Sequence, residues 1–210
     1  MIPRPAASRT GTTQPHTKGR PVPLTGAETR TAMIEIVPDL LFDPEKITEA
    51  YRQVVDRVPV TDPANPDHRL RKLGLTHRAG ADDPWHDAGN GQFNQITGEK
   101  NFEEADFSFF NEELTDTYFH EIYRSLPFRI GRMRLVALHP SEIYHMHTDA
   151  SRVAHMAIKT NEDCRLLLRR GETYHVPTDG RIHILNTLLH HSAYNAGGDT
   201  RIHLTMTIVE

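Results

Sequence analysis

From Arg129 to its end the chain is a train of short strand-like segments cut by turn residues, and that rhythm limits the fold more than any other feature. The segments run 132–138, 143–149, 152–160, 165–169, 173–176, 181–186 and 200–209. Between them stand His139-Pro140-Ser141, Asn161-Glu162-Asp163, Thr178-Asp179-Gly180 and Asn195-Ala196-Gly197-Gly198, which are turn formers. Many short strands behind a helical N-terminal part describe an α+β chain that ends in a β-sandwich or jelly roll. In the last segment Arg201, His203, Thr205 and Thr207 alternate with Ile202, Leu204, Met206 and Ile208, so one face is polar and the other apolar. Taken alone, such a polar face belongs in water. In a jelly roll covered by helices the faces reverse, and the polar one lines an interior.

Upstream, Met33–Val37 reads as a short strand. Asp43-Pro44 then opens a helix that runs through Val58, with Asp as cap, Pro in the first turn and Ile47, Tyr51, Val54 and Val55 as the apolar stripe. Leu114, Tyr118, Ile122 and Leu126 place a second helix over 111–125. Residues 1–31 set Arg4, Arg9, Lys18, Arg20 and Arg30 against Glu28 among Thr, Pro, Gly and Ala, too little apolar surface to fold alone. The segment lacks the apolar stretch of a secretory signal; its Arg-rich, acid-poor character also suits a transit peptide. The division adopted is a disordered tail over 1–31, with Met33 as an alternative start, and a single domain over 32–210. Residues 61–101 form a long turn-rich stretch holding Trp85 and His86, and stretches of that kind commonly shape specificity.

A formal charge of −4 and a pI near 6.4 leave no footprint for nucleic acid. No apolar run approaches the roughly 18 residues of a membrane span. The single cysteine, Cys164, excludes an internal disulfide and fits a reducing compartment, so the expectation is a cytoplasmic protein. Histidine is the unusual component: nine of the 14 fall between His139 and His203. Imidazole is the commonest metal ligand because its neutral nitrogen is available near neutral pH.

Within that stretch His147-Thr148-Asp149 is a His-x-Asp, whose side chains project to the same side of an extended strand. About one such tripeptide is expected by chance in a chain this rich in His and Asp, so the motif needs a third ligand. His190-His191 offers one, and His145 competes with His147 as His190 does with His191. Two imidazoles and one carboxylate make the facial triad of non-haem Fe(II) oxygenases. Arg201 follows ten residues after His191, and its guanidinium suits a bidentate grip on a carboxylate.

From about His139 to the end the chain resembles the aspartyl/asparaginyl β-hydroxylase family of Fe(II)/2-oxoglutarate oxygenases. The matching residues are His139-Pro140, His147-Thr148-Asp149, Arg152-Val153-Ala154-His155, His191-Ser192-Ala193-Tyr194-Asn195 and Arg201. The resemblance implies a double-stranded β-helix, a cupin-like jelly roll, with the N-terminal helices packed on one sheet. It implies Fe(II) held by His147, Asp149 and His191, with 2-oxoglutarate and O2 as co-substrates. Arg201 would hold the far carboxylate of 2-oxoglutarate and His155 its other end. The implied activity is hydroxylation of an amino-acid side chain at the β-carbon, free or within a peptide. Some members lack the acidic ligand; Asp149 is present here, which favours hydroxylation over halogenation. Arg152 and Trp85 are the further residues expected to face a substrate, with Arg132 and Arg134 as other carboxylate partners. Two other readings are a cupin-like metalloenzyme using His145, His147 and His191 without 2-oxoglutarate, and a non-catalytic jelly-roll binding protein.

Overall fold

The computed structural model describes residues 33–59, 71–89, 91–94 and 96–209. The expected disordered tail, and residues 61–70 of the turn-rich stretch, lie outside the described residues. Strand β1 (Ile34–Leu41) leads into helix α1 (Pro44–Arg57), and the short strands β2 (Lys72–Gly74), β3 (Thr76–His77) and β4 (Phe109–Phe110) follow. Helix α2 (Tyr118–Ser125) precedes β5 (Ile130–Leu138), β6 (Val153–Lys159), β7 (Cys164–Leu167), β8 (Thr173–Tyr174), β9 (Arg181–Leu185), β10 (Ser192–Asn195) and β11 (Arg201–Ile208).

Six strands pair in the order β1-β9-β6-β11-β5-β2, and β10-β7-β8 form a second sheet. The stretch 143–149 extends the second sheet along β10 through isolated bridges at Ile143–Tyr194 and His147–His191. From β5 onward the chain therefore passes back and forth between two antiparallel sheets, with only β7 and β8 consecutive in one of them, which is the jelly-roll winding.

The strand alternation explains how the large sheet is covered. Met133, Leu135, Ala154, Met156, Ile182, Ile184, Ile202, Leu204, Met206 and Ile208 share one core cluster with Ile47 and Val54 of α1 and Phe119 and Ile122 of α2. Asp43 starts α1 by accepting from the backbone N–H groups of Glu45 (2.9 Å) and Lys46 (3.3 Å), as its sequence predicts. Truncating a residue such as Ile47 or Met206 to Ala would cost roughly 2–5 kcal/mol. Because helices take the apolar face, the polar face of the large sheet turns inward: all eight residues of β11 are buried, Arg201, His203, Thr205 and Thr207 included.

Three local expectations are corrected. The second helix is broken: a 3-10 turn at Glu112–Leu114 is separated from α2 because Thr115 and Thr117 donate side-chain hydrogen bonds back to the carbonyls of Glu112 (2.9 Å) and Leu114 (2.7 Å). Residues 143–149 are not a regular strand; the register slips by one residue between the two bridges, a bulge in the pairing with β10. Strand β10 itself falls where the sequence suggested only turns.

Candidate metal centre

His147 and His191 face each other across the two sheet-edge segments, and each donates its backbone N–H to the carbonyl of the other (3.0 and 2.9 Å). This doubly bonded pairing sets the imidazoles side by side, with ring centroids 4.3 Å apart. The Asp149 N–H donates to the carbonyl of Thr187 (2.8 Å), which holds the carboxylate against the same edge. Its oxygens lie 3.8 Å from Nε2 of His147 and 3.5 Å from Nε2 of His191. Among the described residues this is the one group of three or more His, Cys, Asp or Glu whose ligand atoms all lie within 4.8 Å of one another.

The tautomers are set by the backbone. Nδ1 of His147 donates to the carbonyl of His145 (2.8 Å), and Nδ1 of His191 to that of Leu189 (3.1 Å). A carbonyl can only accept, so each Nδ1 carries a proton and Nε2 is the atom each ring can offer to a metal beside Asp149. Burial lowers the pKa of His191 below its ordinary value, which keeps that ring neutral and able to ligate. His191 is buried while His147 and Asp149 open to solvent, so one side of the group stays free for other ligands. Two imidazoles and a carboxylate fit a divalent transition metal with open positions. His145 is exposed and stands outside this group, and so does His190.

Behind the triad the inward face of the large sheet carries unpartnered polar atoms. Arg201 is 3% exposed, and among the described residues no carboxylate reaches its guanidinium, whose Nε has no partner. Burial lowers its pKa, while the nearby Tyr144 phenol raises it. The Tyr144 hydroxyl is also unpartnered. His155 and His203 lie edge to face with centroids 5.7 Å apart; Nδ1 of His155 and both nitrogens of His203 have no partner. Burial, with Arg201 next, drives the His155 pKa down to about 3 and puts that of His203 well below the ordinary value. A buried guanidinium without a counter-ion and a bank of open donors fit an anion with several acceptor oxygens.

Two expected substrate residues are not brought to this place. Trp85 is 3% exposed and packs in the helix-side core cluster, on the other face of the large sheet. Arg152 lies 3.7 Å from Glu35, which stands opposite Ile184 on the helix-covered face, so strand alternation points it away from the triad. Tyr144 and His203 were not singled out by sequence; His203 sits two residues after Arg201 on one strand face, a signal that was available. A surface groove of about 420 Å³ lined by Arg78, Asp82, Asp83, His86 and Asp87 among others contains none of the triad.

The family model described as Aspartyl/Asparaginyl beta-hydroxylase matches residues 114–210, the part of the chain that holds the triad, His155 and Arg201. Over that stretch, a little under half of the chain, it is similar to the aspartyl/asparaginyl β-hydroxylase family. The match begins before β5, earlier than the sequence resemblance alone. No curated protein matches the chain. Among solved structures, an oxidoreductase of the 2OG-Fe(II) oxygenase family from Burkholderia pseudomallei is 14% identical, with 87% of this chain and 86% of that one covered and a TM-score of 0.49. A collagen prolyl hydroxylase of Paramecium Bursaria Chlorella virus-1 is 8% identical over 85% of this chain and 96% of that one (TM-score 0.47). A Pseudomonas putida prolyl-4-hydroxylase is 11% identical over 85% and 92% (TM-score 0.44). At these values the solved structures add nothing to the jelly-roll assignment, which rests on the strand order of this chain. Among its described residues no helix is long and apolar enough to cross a membrane.

Proposed function

We propose that this protein is an Fe(II)- and 2-oxoglutarate-dependent hydroxylase acting on an amino-acid side chain, free or within a peptide, at the β-carbon. The observation that carries the reading is the pairing of a backbone-oriented His-Asp-His group with a buried, unpaired arginine on the same interior. His147, Asp149 and His191 would hold the metal. Arg201, with the Tyr144 hydroxyl beside it, would hold the distal carboxylate of 2-oxoglutarate, and His155 would face its other end. When bound, metal and 2-oxoglutarate supply the oxidising chemistry: O2 is consumed, succinate and CO2 leave, and one oxygen atom enters a substrate C–H bond.

The chain's own residues do the rest. The two Nδ1–H···O=C bonds fix the imidazole planes before any metal arrives, so little reorganisation accompanies binding. The guanidinium would grip the distal carboxylate of 2-oxoglutarate, which leaves the 2-oxo acid end to face the metal. The apolar floor beneath, built by Leu138, Leu166, Leu185 and Ala193, excludes water from that end of the interior. A metalloenzyme using three imidazoles without 2-oxoglutarate would draw on His145, which stands outside the group, and would leave Arg201 without a role.

The test is anaerobic reconstitution with Fe(II), then 2-oxoglutarate and air, with succinate measured and candidate amino acids and peptides read by mass for one added oxygen. Succinate release that needs Fe(II) is expected. Stoichiometric metal with no 2-oxoglutarate turnover, with or without substrates, refutes the assignment.

A further inference from the structure

Three arginines were open as partners for a substrate carboxylate, and two are already occupied. Arg132 donates to Glu104 through Nε (3.0 and 3.1 Å) and NH2 (2.5 Å), a buried bidentate pair. Gly131 makes this possible, because a Cβ there would strike the Glu104 backbone carbonyl. Arg152 faces Glu35 on the far side of the sheet. Arg134 differs. Among the described residues no carboxylate reaches it; NH1 donates to the carbonyl of Ala88 (3.2 Å), and Nε is buried without a partner.

The strand register locates Arg134 relative to the rest. It stands opposite Thr205 on β11, which stands opposite His155 on β6, so the three lie in one row across the inward face. Two strand spacings separate Arg134 from His155, roughly 10 Å. Arg201 stands opposite Leu138, two rows further along and one strand over. That is roughly 14 Å from Arg134 between backbones, too far for one small anion to be gripped by both. Lys72 on β2 lies opposite Val136, diagonal to Arg134 on the same face, and also has no carboxylate partner among the described residues. Arg71, the next cation, is paired with Glu142 at 2.7 Å.

From this placement we infer that Arg134, with Lys72 beside it, binds a carboxylate of the substrate, so that the enzyme acts on carboxylate-bearing molecules. The inference rests on the oxygenase reading for the position of the reacting carbon. A carboxylate held at Arg134 would share the inward face with His155, whose backbone lies roughly 10 Å away across two strands. Burial and the like charge of Arg132 lower the Arg134 pKa to about 10, and burial and Arg134 lower that of Lys72, as expected where two cations lack an anion. The Asp149 carboxylate attracts Arg134 but does not reach it as an ion pair, and its charge is committed to the metal group.

The experiment uses the Fe(II)-reconstituted full chain with four probes that separate the two sources of a carboxylate. L-asparagine carries the α-carboxylate alone, N-acetyl-L-aspartate amide the side-chain carboxylate alone, L-aspartate both, and N-acetyl-L-asparagine amide neither. Succinate release above the substrate-free rate and the rise in Tm with 2-oxoglutarate present are both recorded. At least one carboxylate probe is expected to outperform the neutral amide by about tenfold or more, the worth of a charge-assisted hydrogen bond. In Arg134→Gln that preference collapses toward one, whatever the variant's overall rate, and in the rim variant Lys72→Gln it falls severalfold. Stimulation by L-asparagine alone assigns a free amino acid; stimulation by N-acetyl-L-aspartate amide alone assigns a residue within a chain. Equal effects of neutral and charged probes, a preference that survives Arg134→Gln, or no response to any carboxylate overturns the inference. Absence of all substrate-free 2-oxoglutarate turnover counts against the oxygenase reading instead, and the Tm arm still decides whether Arg134 binds a carboxylate.

Discussion

Replacing Arg201 by Met should make the protein more stable and a worse user of 2-oxoglutarate at the same time. The guanidinium is 3% exposed and has no carboxylate partner among the described residues, and burial already lowers its pKa. An unpaired buried ion costs several kcal/mol, of which an apolar side chain of similar volume should recover roughly 2 kcal/mol. Met keeps most of the stem's packing, so the apo protein should melt about 4–8 °C higher, at roughly 2–4 °C per kcal/mol for a chain of this size. In the liganded state the sign reverses. Loss of a bidentate charge-assisted pair worth about 3 kcal/mol raises the 2-oxoglutarate requirement ~100-fold. Melting curves with and without Mn(II) and 2-oxoglutarate, beside succinate kinetics, read both effects. The reasoning fails if Arg201→Met melts several degrees lower without ligand, or if it needs no more 2-oxoglutarate than the parent.

Asp149→Ala should reduce bound Fe(II) from one per chain to well below that and cut succinate formation more than about 100-fold, measured by metal analysis and turnover. Acid should destabilise the fold through His155 and His203, whose folded pKa values lie at about 3 and well below the ordinary 6.5. Below pH 6.5 the unfolded chain binds protons that the folded chain refuses, so stability is complete above that pH. It falls by roughly 1.4 kcal/mol per unit per histidine toward the folded values. Urea midpoints at pH 7.5 and 5.0 measure it, and His203→Asn should flatten the slope. Glu104→Ala strands the buried Arg132 charge and should cost about 3–5 kcal/mol, whereas Glu104→Ala with Arg132→Met should recover most of it; chemical denaturation of the three proteins decides.

The parts that sequence revealed were those where a local pattern and a spatial fact coincide. Alternation along 201–208 gave both faces of β11, and Asp43-Pro44 gave the start of α1. The spacing of His147, Asp149 and His191 led to a group that the structure does assemble. What stayed hidden depends on pairing between distant segments. Nothing local marks β10 as a strand; it exists because 143–149 and β7 supply partners on both sides. The bulge beside His147 is likewise a property of the ladder. Arg132, Arg134 and Arg152 are indistinguishable in sequence, and only Glu104 and Glu35, brought in from 28 and 117 residues away, separate the occupied pair from the open one. Trp85, expected to face a substrate, packs instead in the helix-side core, and only its burial in the folded chain reveals that.

Anomalous scattering from crystals grown anaerobically with Mn(II) and 2-oxoglutarate bears most directly on the central claim. One peak is predicted, in contact with Nε2 of His147, Nε2 of His191 and a carboxylate oxygen of Asp149, with density for the dicarboxylate running from it to Arg201. A metal peak elsewhere in the chain, or a metal bound at the two imidazoles with Asp149 turned away and nothing at Arg201, would contradict the account.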